Sequence, residues 1–146
     1  MRISQFTDYA FRLLIAVASR HPELTTISQV ANAYAISHHH LSKISRKLGR
    51  AGYLETVRGR HGGMRLARPA EEMSIGAIAR LGEGGTPLVE CFDAATNRCV
   101  ITPACHLKFM LADAESAFFE ALDGHKLAEI VADRSRLRTY FNGVDI

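Results

Sequence analysis

Residues 25–66 read TTISQVANAYAISHHHLSKISRKLGRAGYLETVRGRHGGMRL, and this stretch decides the fold. Thr25 and Thr26 open a short helical segment, Ile27 to Tyr34, because a threonine hydroxyl can accept from the free N–H groups of a first turn. Ala35-Ile36 reads as a tight turn. Ser37 then caps a longer helix that runs to about Ala51 and stops at Gly52. Short helix, turn, longer helix is the helix-turn-helix arrangement. Val30, Ala31, Ile36, Leu41, Ile44 and Leu48 are the apolar residues that would bury its junction. Beyond Gly52 the period changes. Tyr53 to Val57 is β-branched and aromatic and reads as a strand. Arg58 to Gly63 holds three glycines and reads as a turn; Met64-Arg65-Leu66 returns as a second strand, closed by Pro69. A hairpin directly after a helix-turn-helix is a wing.

Working outward, Phe11, Leu14, Ile15 and Ala18 lie at helical spacing, with Thr7 as the expected cap and an end near Arg20, before Pro22. On the other side, Ser74 caps a helix from Ile75 to about Leu81, broken by Gly82, Gly84, Gly85 and Pro87. Residues 86–103 form a loop. Pro103 starts a long helix, about Ala104 to Leu122, stopped near Gly124; a short helix spans Lys126 to Ala132, and the tail after Asp133 is weakly patterned. The expected organisation is a DNA-binding winged helix-turn-helix over 1–70, a linking helix and loop over 71–103, and a dimerisation helix with tail over 104–146. The fold class is mainly α with one small β-hairpin.

Charge divides the chain the same way. Residues 1–70 carry eleven Lys and Arg against three Asp and Glu, a net +8; residues 71–146 carry seven against twelve, a net −5. A half this basic suits a polyanion, because neutralising phosphates releases counterions. Ser37, His38, His39, His40, Ser42 and Lys43 open the third helix, where base edges are met in the major groove. Arg46, Lys47 and Arg50 lie further along and suit phosphates. Arg58, Arg60 and His61 stand among the wing glycines, and a protruding arginine suits a narrow minor groove. The three histidines do not make a metal site on their own, since consecutive helical residues point about 100° apart. No apolar run approaches the roughly 20 residues that a membrane helix needs, and the start lacks the features of a secretory signal. A cytoplasmic location is expected. No nucleophile–base pairing or phosphate loop points to an enzyme.

Cys91, Cys99 and Cys105 are the chain's three cysteines, spaced C-x7-C-x5-C. Thiolates suit soft metals. The spacing is too wide for a zinc knuckle and suits a loop wrapped around a larger group such as an iron–sulfur cluster, which commonly takes four ligands. His106, Asp93 and Asp8 are the candidates by residue type for a fourth ligand; the alternative is three free thiols or a redox disulfide. Leu107, Leu111, Ala114, Phe118 and Ala121 step by four, three, four and three, a heptad-like seam widened by Met110 and Ala117. Such a helix at the end of a small chain is expected to pack on a second copy, setting two recognition helices about one DNA turn apart.

Several stretches resemble the iron–sulfur winged-helix repressors: Met1 to Ala10, Arg50 to Tyr53, Val57 to Gly63, Arg65-Leu66, Ile101 to Cys105 with Leu107-Lys108, and Leu127. The likeness spans nearly the whole chain and is strongest to the nitric-oxide-sensing branch. It implies a homodimer on a palindromic double-stranded operator, and an iron–sulfur cluster, [4Fe-4S] in preference to [2Fe-2S], on Cys91, Cys99 and Cys105. It also implies that Asp8, contributed by the partner subunit, is the fourth ligand. The implied mechanism is repression relieved when nitric oxide attacks the cluster. The alternatives are an iron-responsive or cluster-supply-responsive regulator of the same family, or a zinc- or thiol-based one. Gly82-Glu83-Gly84-Gly85 departs from the resemblance, which implies a more helical segment there, and is expected to loosen the link to the cysteine loop.

Overall fold

The structure is a computed structural model that describes residues 2–142. It contains α1 (Gln5–Arg20), α2 (Ile27–Tyr34), α3 (His38–Arg50), the strands β1 (Leu54–Val57) and β2 (Gly63–Leu66), α4 (Ile75–Glu83), α5 (His106–Asp123), α6 (Leu127–Ile130) and α7 (Arg134–Asn142). The expected class, mainly helical with one hairpin in a winged helix-turn-helix, is the observed one.

Local chemistry fixes the helix-turn-helix. The Thr26 hydroxyl accepts from Gln29 N–H at 3.2 Å, and the Gln29 side chain accepts from Thr26 N–H at 2.8 Å, a reciprocal cap. Ser37 accepts from His40 N–H at 3.3 Å and starts α3. The turn between them passes through Ala35 at φ 53°, the left-handed conformation in which α2 ends. The hairpin pairs Leu54 with Leu66 and Val57 with Gly63. Its second strand is also tied to the segment before α2: Thr25 N–H donates to Met64 O at 3.0 Å and Met64 N–H to Thr25 O at 2.8 Å. The wing therefore moves with the helix-turn-helix.

One core holds these elements. Ala10, Leu13, Leu14 and Val17 of α1 are buried with Val30, Leu41, Leu48, Met64 and Ile78, and with Leu127 and Val131 from the far end of the chain. Fully burying each leucine, isoleucine, valine or methionine among them contributes about 1.5–3 kcal/mol.

Five expectations are corrected. Ser4, not Thr7, caps α1, accepting from Thr7 N–H at 3.2 Å; Thr7 lies inside the helix and is fully buried. Gly82 does not break α4, which continues to Glu83 and is capped at Gly84. A methyl group at Gly82 would collide with Thr7 Oγ1 and stand 3.1 Å from Phe6 Cδ1, so the glycine admits the close approach of α1. Pro103 lies in a short 3-10 turn, Thr102–Ala104, and α5 begins only after Cys105. The tail after Asp133 is helical: Arg134–Asn142 packs along α1. The short helix before it is the four-residue α6, tighter than the expected span.

Candidate DNA-binding surface and cysteine loop

The exposed side of the helix-turn-helix is the basic side. Leu41, Ile44 and Leu48 turn into the core, which leaves His38, His39, His40, Lys43, Arg46, Lys47 and Arg50 exposed, with Ser37 at the cap and Ser42 half-buried. On the wing, Arg58, Arg60 and His61 are exposed around Gly59, whose φ of 114° only glycine adopts readily.

Several basic residues are held by partners within the fold. Arg12 pairs with Asp8 at 3.0 Å, Arg65 with Glu55 at 2.9 Å, Arg80 with Asp123 at 2.7 Å, and Arg68 lies 4.4 Å from the centre of the Tyr53 ring. These serve the fold. Lys43, Arg46, Arg50, Arg58 and Arg60 have no acidic partner among the described residues. All five stand on the recognition helix or the wing.

Residues that the sequence reading did not single out sit behind this surface. Lys47 Nζ is 4.4 Å from the centre of the Phe6 ring, and the Tyr9 and His40 rings are 6.3 Å apart. The Arg12 guanidinium lies 5.5 Å from the centre of Tyr34, at the end of α2. It titrates above its ordinary range because Asp8 accepts its hydrogen bond. Burial pushes the Tyr34 phenol up, although the charge of Arg12 opposes the shift. The i, i+4 spacing of Asp8 and Arg12 is visible in the sequence; the reach to Tyr34 is tertiary and is not.

The cysteine loop is built from turns. Glu90–Phe92 forms a 3-10 turn carrying Cys91. Asp93 closes the next turn, accepting from Ala95 N–H and the Thr96 hydroxyl at 2.9 Å each. Asn97 accepts from Cys99 N–H at 3.0 Å, and the Thr102 hydroxyl donates to Cys99 O at 2.8 Å. Cys105 takes the N-cap position of α5. All three thiols are free and half-buried. Their chemistry fits a soft metal or cluster. Within the single chain the distances do not close a site: among the described residues no three His, Cys, Asp or Glu side chains are grouped to hold a metal ion. Asp93 is engaged in its own turn, His106 begins α5, and Asp8 lies on α1 against Arg12.

A helix-turn-helix with an unpaired basic recognition helix and a basic wing defines a DNA-binding regulator, not an enzyme. The family follows from comparison. The chain belongs to the Rrf2 family, described as iron-dependent transcriptional regulators, whose model matches residues 3–133. It is 47% identical over 140 residues to the HTH-type transcriptional regulator NsrR of Geobacillus kaustophilus, covering 95% of each chain. It is 44% identical over 135 residues to that of Bacillus subtilis, covering 92% of each. Among solved structures, it resembles Staphylococcus aureus CymR in its oxidized form with a TM-score of 0.70 and 28% identity, over 90% of this chain and 96% of that one. T. potens IscR shares the fold, with a TM-score of 0.69 and 20% identity over 91% and 88%. No helix among the described residues is long and apolar enough to cross a membrane.

Proposed function

We propose that the protein is a homodimeric repressor that holds an iron–sulfur cluster on Cys91, Cys99 and Cys105 and loses operator affinity when nitric oxide reaches that cluster. The observation that carries the reading is the loop itself: three free, half-buried thiols on a segment of short turns between α4 and α5. Relatives at 44–47% identity bearing the name NsrR support the same assignment. When bound, the cluster supplies iron for nitric oxide to attack. Asp8 of the partner subunit is the proposed fourth donor; within its own chain it is half-exposed and reaches Arg12, which stacks toward Tyr34 of α2.

A second copy is proposed to pack along α5. No residue of that helix is buried in the single chain, and Leu107, Phe109 and Met110 are 59%, 66% and 66% exposed. Of the expected seam, Leu111 and Phe118 are half-buried while Ala114, Ala117 and Ala121 are exposed. An adjoining face of the helix is occupied by α4, where Arg80 lies 5.0 Å from the centre of the Phe119 ring.

The deciding experiment is anaerobic binding to a duplex selected by the protein, with and without nitric oxide, alongside an iron-chelation arm. Loss of affinity with nitric oxide supports the reading. Loss with chelation alone moves the protein to the iron-responsive alternative. A colourless, zinc-containing protein with unchanged affinity overturns the cluster assignment.

A further inference from the structure

The first turn of α1 is a joint with two sides. On one side it meets the end of α4. Ser4 N–H donates to Glu83 Oε1 at 2.9 Å, the Thr7 hydroxyl donates to the same oxygen, and Ser4 Oγ lies 3.0 Å from Thr7 Oγ1. Gly82 lets the two backbones close, since an added Cβ would strike Thr7 and crowd Phe6. On the other side it meets the recognition helix. Phe6 lies under the Lys47 ammonium at 4.4 Å, and Tyr9 faces His40. A small apolar dent of about 140 Å³ separates the two helices, lined by Gln5, Phe6, Tyr9, His40, Lys43 and Ile44.

Two features make this more than packing. Thr7 is fully buried, so its hydroxyl needs a partner and Glu83 is that partner. Glu83 is also the last residue of α4, and the cysteine loop follows within a few residues. The loop's leading end is therefore tied through Gly84 and Gly85 to α4's last turn, as its trailing end is tied to α5 through Cys105. From α4's last turn, one helical turn of α1 leads to Lys47 and His40, and the close packing of α1's buried side, eight of its sixteen residues, resists bending.

We propose that Glu83 is a positioning residue for the recognition helix: its carboxylate holds the first turn of α1 so that Phe6 seats Lys47 and Tyr9 seats His40, and the movement of the cysteine loop enters the DNA-binding half at this point. The second clause rests on the loop being the sensing element. The first does not, and the test reads it in the full-length reduced protein without any signal.

The Lys47 ammonium lies over the Phe6 ring, so ring current is expected to shift the NMR resonance of the adjoining ε-methylene protons upfield. Glu83→Ala is expected to return that resonance toward its open-chain position and to weaken binding to a selected duplex about tenfold, the equivalent of one charge-assisted hydrogen bond. Glu83→Gln keeps the accepting oxygen and is expected to restore both. A purely structural role would lower the melting temperature of Glu83→Ala while leaving the Lys47 resonance and the affinity of the folded protein unchanged; that result overturns the proposal. Should Glu83→Ala fail to fold, Gly82→Ala gives the second route. Its methyl displaces Thr7 and Phe6 with the carboxylate intact, so an unshifted Lys47 resonance there also overturns it. Failure of the wild type to respond to nitric oxide would sink the proposed function and leave these readouts standing.

Discussion

The guanidinium of Arg138 closes the C-terminus of α1, 119 residues away in sequence from the carbonyl it reaches first. Its Nε donates to Ser19 O at 2.8 Å, and Nη2 donates to Arg20 O at 2.9 Å and His21 O at 3.3 Å. These carbonyls belong to a helix end, where partial negative charge gathers and a cation is favoured. On the same α7, the Phe141 ring meets Tyr34 of α2 edge-on, with centroids 5.5 Å apart.

Arg138→Ala should therefore lower global stability by about 2 kcal/mol, the loss of charge-assisted hydrogen bonds to carbonyls at the end of α1. Arg138→Lys should recover less than half, because an ammonium lacks the fork that spans several acceptors. Urea denaturation of the two variants checks both expectations.

The helix-turn-helix carries one strained residue. Ala35 occupies the left-handed region at φ 53°, which costs a non-glycine residue roughly 1–2 kcal/mol. Ala35→Gly should raise stability by about 0.5–1 kcal/mol, after the greater unfolded-state entropy of glycine is set against the relieved strain. The urea midpoint should rise with an unchanged slope.

What the sequence made legible is what local chemistry controls. Thr26 and Ser37 cap the helices that follow them, and Gly59 and Gly62 turn the wing, so these boundaries could be read directly. Thr7 could not, since a buried threonine inside α1 and a threonine capping α1 look alike until Glu83 is placed beside it. Gly82 reads as a breaker by propensity, yet it lies inside α4, where its missing side chain admits the close approach of Thr7 and Phe6. The tail from Arg134 has no strong apolar period, and the Arg138 contacts that lay it along α1 are tertiary. For the cysteines, spacing indicated a shared loop, and among the described residues of the single chain that loop does not group them to hold a metal ion.

The basic surface should divide by function. Arg46→Ala and Arg50→Ala should each reduce the salt slope of DNA binding by about 0.9 and weaken binding evenly across sequences, since each would release one phosphate contact. Ser42→Ala and Lys43→Ala should instead relax sequence preference, by about 1–3 kcal/mol of discrimination at the position each reads. Binding isotherms at several salt concentrations, on a selected duplex and on a scrambled one, separate the two behaviours.

The exposed face of α5 makes its own forecast. Met110→Asp should yield a monomer in sedimentation velocity, because a carboxylate on an apolar seam must be desolvated without a partner. The monomer should keep its helical content, since Met110 is 66% exposed in the single chain. A dimer that survives this change would place the interface elsewhere.

Glu83 gives stability a pH signature. Burial pushes its carboxyl up, but the hydrogen bonds donated by Thr7 and Ser4 outweigh that, and it titrates below its ordinary range. A carboxyl depressed on folding contributes stability that is fully present above its unfolded pKa, about 4.3, and that is lost as pH falls through the lower folded value. Glu83→Gln has no such proton to take up. The wild type should therefore exceed Glu83→Gln by a constant margin from neutral pH to about pH 5, and the margin should shrink steadily toward about pH 3. Asp123, held low by Arg80, also loses its contribution in acid, but it does so in both proteins and cancels in the difference. Melting temperatures of the pair across this range supply the measurement; a margin that stays flat into acid would mean that Glu83 is not held as the carboxylate by α1.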